Sequence, residues 1–436
     1  MIWFFYNVLF VIGFTLLLPR FFWRMWRRGG YRQGFFQRLA VYGRPLSGQL
    51  RSRRRIWIHA VSVGEVYVAA RFMEELRRRR PGTAFVLTTT TSTGHKIAGG
   101  VLKPDDVLLY FPVDVPPVIR RVHRLVNPEA VVLTECELWP NMIREARRRQ
   151  IPVFLINGRI SDRSYRGYRL VRAFFRRTVA MVDRLFVQTA ADADRLIRLG
   201  AEKGRVEVLG SAKYDVAQSD PAGEAWADRL LQSLGVKADA PVMVGGSTWP
   251  GEEMILVDIA GKLRADQPGV LLVLVPRHAE RGDAVAAELR ERGVRFVRRS
   301  EMGQPGFRAD SPPEVLLVDT TGELKNFYAR ATAIFVGKSL TQHGGQNVIE
   351  PALYGRPVVV GPNMENFAGV MADFLEAEAM VQVRDAAELG SALARLLRDP
   401  SLGTQIGQRA RQVVEKKRGS VAATVDRILP RLSAAS

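Results

Sequence analysis

The chain predicts an α/β fold made of two doubly wound, parallel-sheet domains. Three observations predict it. Short apolar runs alternate with helix-patterned stretches from Ile56 onward. The alternation weakens between about Val216 and Ala240, where Gln, Ser, Asp and Ala dominate, and then resumes. The chemistry-bearing motifs sit at the ends of the apolar runs, where open α/β sheets bind ligands. Apolar strands joined by helices give parallel sheets covered on both faces, so each strand reads as a continuous apolar run.

In the first half the runs are Ile56–Val61, Ala84–Thr90, Val107–Phe111, Ala130–Thr134, Val153–Asn157, Arg184–Gln188 and Val206–Leu209. Helix patterns fill the gaps, as at Tyr67–Arg79, Trp139–Arg149 and Ala190–Leu199. The second half has Val242–Gly246, Leu271–Val275, Arg295–Val297, Val315–Asp319, Thr332–Val336 and Val358–Val360. The region from Asp385 to Leu432 reads as helices. The predicted organisation is a membrane anchor and the start of a basic apron at 1–28, a first domain at 29–215, a linker at 216–240 and a second domain at 241–436.

Residues 1–19 carry no charged side chain, and Ile2–Leu18 is aromatic or aliphatic almost throughout. That length is about what a bilayer crossing needs. Phe21, Phe22, Trp23 and Trp26 follow, where interfacial aromatic belts sit. Eleven arginines lie from Arg20 to Arg55, and no acidic residue precedes Glu65. This asymmetry predicts a cytoplasmic body and contact with anionic lipid headgroups. A signal peptide fits poorly, since no basic residue precedes the apolar run. The net charge of +20 is concentrated beside this segment and comes with no nucleic-acid motif, so nucleic acid is not an expected partner. The single cysteine, Cys136, excludes an internal disulfide and fits a reducing compartment. The five histidines show no metal-ligand spacing.

Several motifs close predicted strands. Ser62-Val-Gly-Glu65 is a capping-box pattern, and it also puts a carboxylate at a strand end where a general base would stand. Thr88–Gly94 offers hydroxyls for an anion or for a cap. Glu135 and Glu137 alternate after Ala130–Thr134, and Lys213 in Ser211-Ala-Lys-Tyr-Asp215 is a candidate cation for them. Asp192 and Asp194 form a nominal metal-type pair at an apparent helix start, where acidic residues are expected anyway. In the second half, Gly245–Glu253 is another strand–turn–helix junction. Arg277 ends a strand with a phosphate-matching fork, and Asp319–Leu324 follows the next. The Gly-rich stretch Gly337–Pro362 reads as a nucleotide cradle. Its Gly344 and Gly345 permit close backbone approach, and Asn347 and Glu350 are expected on one face of the following helix. His343 is a candidate ligand or backbone anchor.

Each motif alone is weak. In order, Ser-Val-Gly-Glu, Glu-x-Glu-Leu-Trp-Pro-Asn, Asn157-Gly-Arg-Ile-Ser161, Ser-x-Lys-Tyr-Asp, Pro-Arg-His, Thr-Gly-Glu-Leu and Gly-Gly-Gln-Asn-x-x-Glu closely resemble the 3-deoxy-D-manno-octulosonic acid (Kdo) transferases of lipid A assembly. The resemblance covers nearly the whole chain.

The resemblance implies a GT-B fold of two Rossmann-like domains facing a cleft, with acceptor on the N-terminal and donor on the C-terminal side. It implies Kdo transfer from CMP-Kdo to the lipid A precursor (lipid IVA) at the cytoplasmic face of the inner membrane, inverting and without a metal or other cofactor. By motif, Glu65 matches the family's proton acceptor, and Glu135 and Lys213 match residues that stabilise the transition state. Pro276, Arg277, Thr321, Gly322, Glu323, Asn347, Val348, Ile349 and Glu350 match the CMP-binding segments. One departure stands out: where the family pattern reads Val-Gly-Gly-Ser-Leu, this chain has Lys338. A UDP-sugar transferase of the same fold and a non-catalytic lipid-binding protein are the alternatives.

Overall fold

The computed structural model describes residues 2–28, 34–302 and 311–432, with the side chains of 20–28 left aside. The aromatic belt expected at Phe21, Phe22, Trp23 and Trp26 therefore lies outside the described side chains, as do Arg20, Arg24, Arg27, Arg28 and Arg32. The chain forms two compact units, Met1–Val216 with Arg418–Ser436, and Ala217–Lys417.

The strands of the first unit are β1 (Ile56–His59), β2 (Phe85–Thr89), β3 (Val107–Tyr110), β4 (Ala130–Thr134), β5 (Val153–Gly158), β6 (Arg184–Val187) and β7 (Val206–Val208). They form one parallel sheet in the order β3-β2-β1-β4-β5-β6-β7. Ile56 of β1 pairs with Phe85 on one side and Ala130 on the other, so the strand order reverses between β1 and β4. In the second unit β8 (Val242–Thr248), β9 (Leu271–Pro276), β10 (Phe296–Arg298), β11 (Val315–Leu317), β12 (Ala333–Val336), β13 (Val358–Val360) and β14 (Val381–Gln382) form a parallel sheet. Its order is β10-β11-β9-β8-β12-β13-β14, with the reversal between β8 and β12. These are the two Rossmann-like domains of a GT-B fold.

Both sheets bury both faces. Trp57, Phe85, Phe154 and Phe186 are fully enclosed in the first, and Phe335 in the second. Every strand except β14 coincides with an apolar run of the sequence. β14 has only two residues at a sheet edge, too short for a period to register.

Two expected boundaries are corrected. Residues 216–240 do not form a plain linker. Asp220 caps a helix, Pro221–Ser233, by accepting a bond from the Gly223 amide at 3.1 Å. That helix buries Ala227 and Leu231 and sets Trp226 against Phe327, so it belongs to the second unit. Nor does the second domain run to the end of the chain. Helix Ser420–Ile428 lays Val421, Val425 and Ile428 into the same core cluster as Phe72 and Leu76 of helix Val63–Arg79. Asp215 fixes its start by accepting from the amides of Gly419 (2.7 Å) and Val421 (3.0 Å). The apolar stripe at 421, 425 and 428 needs a partner, and the first unit supplies it.

The basic apron is also shorter than expected. Arg55 is 3% exposed and donates to the carbonyls of Asp105 and Gln49. Arg53 pairs with Asp105 at 3.0 Å, and Arg54 donates to the Pro128 carbonyl. Arg53 also donates to the Gly82 carbonyl. Gly82, Asp105 and Pro128 precede β2, β3 and β4, so the three arginines tie down the amino ends of the sheet.

Candidate active site

The reversal between β1 and β4 leaves a crevice at their carboxyl ends, and Glu65 occupies it. Ser62 caps helix Val63–Arg79, and the capping box is complete: Ser62 Oγ accepts from the Glu65 amide, and Glu65 accepts from the Ser62 amide. The carboxylate does more than cap. Oε1 also accepts from Ser62 Oγ at 2.8 Å, and Oε2 accepts from the Val61 amide at 2.9 Å. Thr134, the last residue of β4, has one hydroxyl proton and two acceptors in reach: the His59 carbonyl at 2.8 Å and Glu65 Oε2 at 2.9 Å. The single hydroxyl proton can go to either acceptor.

Three more groups identified from sequence gather here. Glu135 follows β4 directly, with a left-handed φ of 53° and its amide bonded to the Ile156 carbonyl. Burial raises its carboxyl above the ordinary value, and nearby Glu65 adds to this, while Lys213 and Arg159 oppose it. Glu137 is pushed up to about 7 by burial and then by Glu65. Lys213 opens the short helix Lys213–Val216, and burial lowers its ammonium; Glu135 and Glu65 pull the other way. Glu65, Glu135 and Lys213, named separately in the sequence, therefore act on one another's charge. Arg159, which as one residue of the Asn157–Ser161 motif carries no signal of a role, is the second cation of the group. Asn157, at φ 52°, joins this end of the sheet to the Lys213 turn by accepting from the Ala212 amide at 3.0 Å.

In the second unit the expected nucleotide residues all lie at the carboxyl end of the sheet. Pro276 ends β9, and exposed Arg277 hydrogen-bonds through its amide to the Thr248 carbonyl. Thr321, Gly322 and Glu323 follow β11, with Gly322 at φ 93°. Glu323 is held by Thr320 Oγ1 at 2.7 Å and Arg299 at 3.0 Å.

The stretch after β12 differs from expectation. Asn347 is not on a helix: the helix spans only Ile349–Leu353, and Asn347 Oδ1 accepts from the Ile349 amide ahead of it. The conformationally restricted Pro351 and the left-handed turn at Gly355, φ 67°, confine this helix to about one turn. So short a helix supplies little dipole. Asn347 and Glu350 still meet: burial raises the Glu350 carboxyl, and Lys325 and a bond from Asn347 oppose that. Val348 and Ile349 are fully buried, so only their backbone can face a ligand. His343 bonds Glu365 at 2.9 Å, whose other oxygen takes the Gly344 amide at 2.7 Å.

The sequence reading missed Glu252. This wholly buried carboxylate takes the amides of Trp249, Lys338, Ser339 and Leu340 at 2.8–3.1 Å. It fixes the turn that places Lys338 at φ 57° with Nζ 4.8 Å from the Trp249 ring centroid. A carboxylate just inside a helix start, at Glu252 of Glu252–Asp266, was the available signal. Asp192, by contrast, is spent structurally, accepting from the Ile160 amide and Thr189 Oγ1, and Asp194 pairs with Arg198. Among the described residues no three His, Cys, Asp or Glu side chains gather as metal ligands.

Residues 33–216 match the family described as 3-deoxy-D-manno-octulosonic-acid transferase (kdotransferase). The 3-deoxy-D-manno-octulosonic acid transferase of Haemophilus influenzae is 31% identical over 405 residues, 92% of each chain. That of Bordetella pertussis is 33% identical over 433 residues, 95% of this chain and 96% of its own. This chain belongs to the Kdo transferase family. It is thus a glycosyltransferase. UDP-GlcNAc 2-epimerase from Neisseria meningitidis, 13% identical with a TM-score of 0.59, covers 86% of this chain and all of its own, and shares the fold alone.

Proposed function

We propose that this Kdo transferase moves Kdo from CMP-Kdo to the lipid A precursor lipid IVA, with inversion and without a metal. The observation that carries the reading is the Glu65 group: a carboxylate at the switch point of the first sheet, with Glu135, Glu137, Lys213 and Arg159 around it. In this mechanism the acceptor hydroxyl replaces one of the donors to Glu65 and gives up its proton as its oxygen attacks the anomeric carbon. The bond from that carbon to the phosphate oxygen breaks, and CMP leaves with the bonding pair. A single displacement inverts the centre. Lys213, balanced by Glu135, stabilises the charge that develops, and Arg277 with the Thr321–Glu323 and Asn347–Glu350 segments holds CMP. Fixed dipoles and cations do the work a divalent ion would otherwise do. Helix Ile2–Arg28, with 18 residues apolar enough to enter a membrane, attaches the enzyme to the cytoplasmic face of the inner membrane.

The test is transfer by the full-length protein from CMP-Kdo to lipid IVA, read by product mass, which also counts the sugars added. Glu65→Gln is expected to lower turnover about 10²–10⁴-fold, the usual worth of a general base, with CMP binding retained. Near-normal turnover would remove the base assignment. Stronger competition by UDP than by CMP would remove the donor assignment.

A further inference from the structure

The N-terminal helix does not stand free of the first unit. Trp3, Tyr6, Asn7, Phe10 and Gly13 are half-buried, spaced as one helical face. Tyr6 Oη donates to Asp114 at 2.9 Å, and Asn141 Nδ2 donates to Asn7 Oδ1 at 2.7 Å. Phe174 stacks on Tyr6 with 4.9 Å between centroids. Asp114 is fully buried and also takes the amides of Asn141 and Met142, so the docking point is part of the folded unit. A helix crossing the bilayer from Pro19 outward would carry Tyr6 about 20 Å away from the body, at about 1.5 Å per residue. Polar docking at residues 6 and 7 is incompatible with that placement.

The opposite face is apolar and open: Phe4 and Leu9 are each 68% exposed and Leu16 is 74% exposed. Phe174 comes from helix Arg172–Val179, which with Asp162–Leu170 forms a bent pair. At their junction Leu170 is 89% exposed, beside Val171. Arg163, Arg166, Arg169, Arg172, Arg176 and Arg177 are all exposed on this pair, against one acidic residue, Asp162. Asp114 and Asn141 lie beyond the carboxyl ends of β3 and β4, the sheet end that carries Glu65 and Glu135.

We infer that helix Ile2–Arg28 lies in the plane of the membrane rather than across it, and forms with the Leu170–Val171 tip one face for an anionic lipid surface. An apolar helix face flanked by arginines is the chemistry of interfacial binding. The inference rests on the membrane attachment proposed above and specifies its geometry. It keeps the N-terminus on the same side as the catalytic body.

Topology labelling decides it. In full-length protein with Cys136→Ser, a Gly-Ser-Cys tag is added before residue 1, and Ser219→Cys serves as the body marker. A membrane-impermeant maleimide is expected to label both sites in inverted inner-membrane vesicles and neither in intact spheroplasts. Labelling of the tag from the spheroplast exterior would overturn the inference. Leu170→Glu with Val171→Glu is expected to weaken binding to phosphatidylglycerol vesicles by at least about 10-fold; unchanged binding would remove the tip from the face. Kdo transfer to detergent-solubilised acceptor, measured on the full-length protein with Cys136 retained, shows separately whether the transferase reading stands.

Discussion

Glu65 and Glu252 occupy matching places in the two sheets. Each follows the strand at which the order reverses, β1 or β8, lies in the first turn of the next helix, and accepts bonds from across the switch point. Their partners differ. Glu252 is fully buried and accepts four backbone amides within 3.1 Å, three of them from the turn after β12. Glu65 is 6% exposed and takes two amides and two hydroxyls, with two further carboxylates and two cations nearby. Amides only donate, so the four around Glu252 make it a staple for the turn. Hydroxyls both donate and accept, so the two at Glu65 can be exchanged for the hydroxyl of a substrate. The same position on the same kind of sheet thus becomes structure in one unit and a candidate base in the other.

Glu252→Ala breaks this comparison most severely. Four amides, one of them buried and three partly so, lose their acceptor, at about 1–3 kcal/mol for each buried group left unpaired. A loss of at least about 4 kcal/mol is expected in urea unfolding; a loss under about 1 kcal/mol would mean the turn finds other partners. Glu65→Gln is expected to show the opposite profile. Glutamine still completes the capping box through one oxygen, but its NH2 cannot accept from the Val61 amide, so a loss of about 1–3 kcal/mol is expected for that one donor while turnover falls as stated above. A loss as large as that of Glu252→Ala would make Glu65 a second staple.

Glu137 sharpens the electrostatic side. Its carboxyl, ordinarily near 4.5, is raised to about 7, so the fold favours the protonated form. That contribution to stability is complete below about 4.5 and is lost as the pH rises through 7. Glu137→Gln stays neutral, so the decline in stability from pH 5 to 7 should become shallower; an unchanged slope would remove Glu137 from the coupled group. The smallest effect is expected at Lys338. Lys338→Gly relieves a left-handed penalty of about 1–2 kcal/mol and gives up a cation–π contact of about 0.5–1 kcal/mol. Stability should shift by no more than about 1 kcal/mol, read by thermal unfolding. The donor KM of this variant separates a purely structural lysine from one that also touches the sugar carboxylate.

What the residues alone determined was local. Apolar runs marked thirteen of the fourteen strands of the two sheets, because a strand covered on both faces shows its burial in every residue. The capping box at Ser62–Glu65 was legible because four consecutive residues complete it. The motif order around Glu65, Glu135 and Lys213 was legible as a family pattern, although 148 residues separate the first from the last. Tertiary structure decided which partner each surface chose. Helix Ser420–Ile428 joined the first unit, Arg53–Arg55 turned to the amino ends of the sheet, and Glu252 gathered amides from residues 338–340. It also laid the N-terminal helix against Asp114 and Asn141, contacts that hydropathy does not reveal. Hydropathy and caps depend on neighbours a few residues apart. Docking depends on which distant surface offers the matching apolar stripe or unpaired donor, and that is fixed only once both are folded.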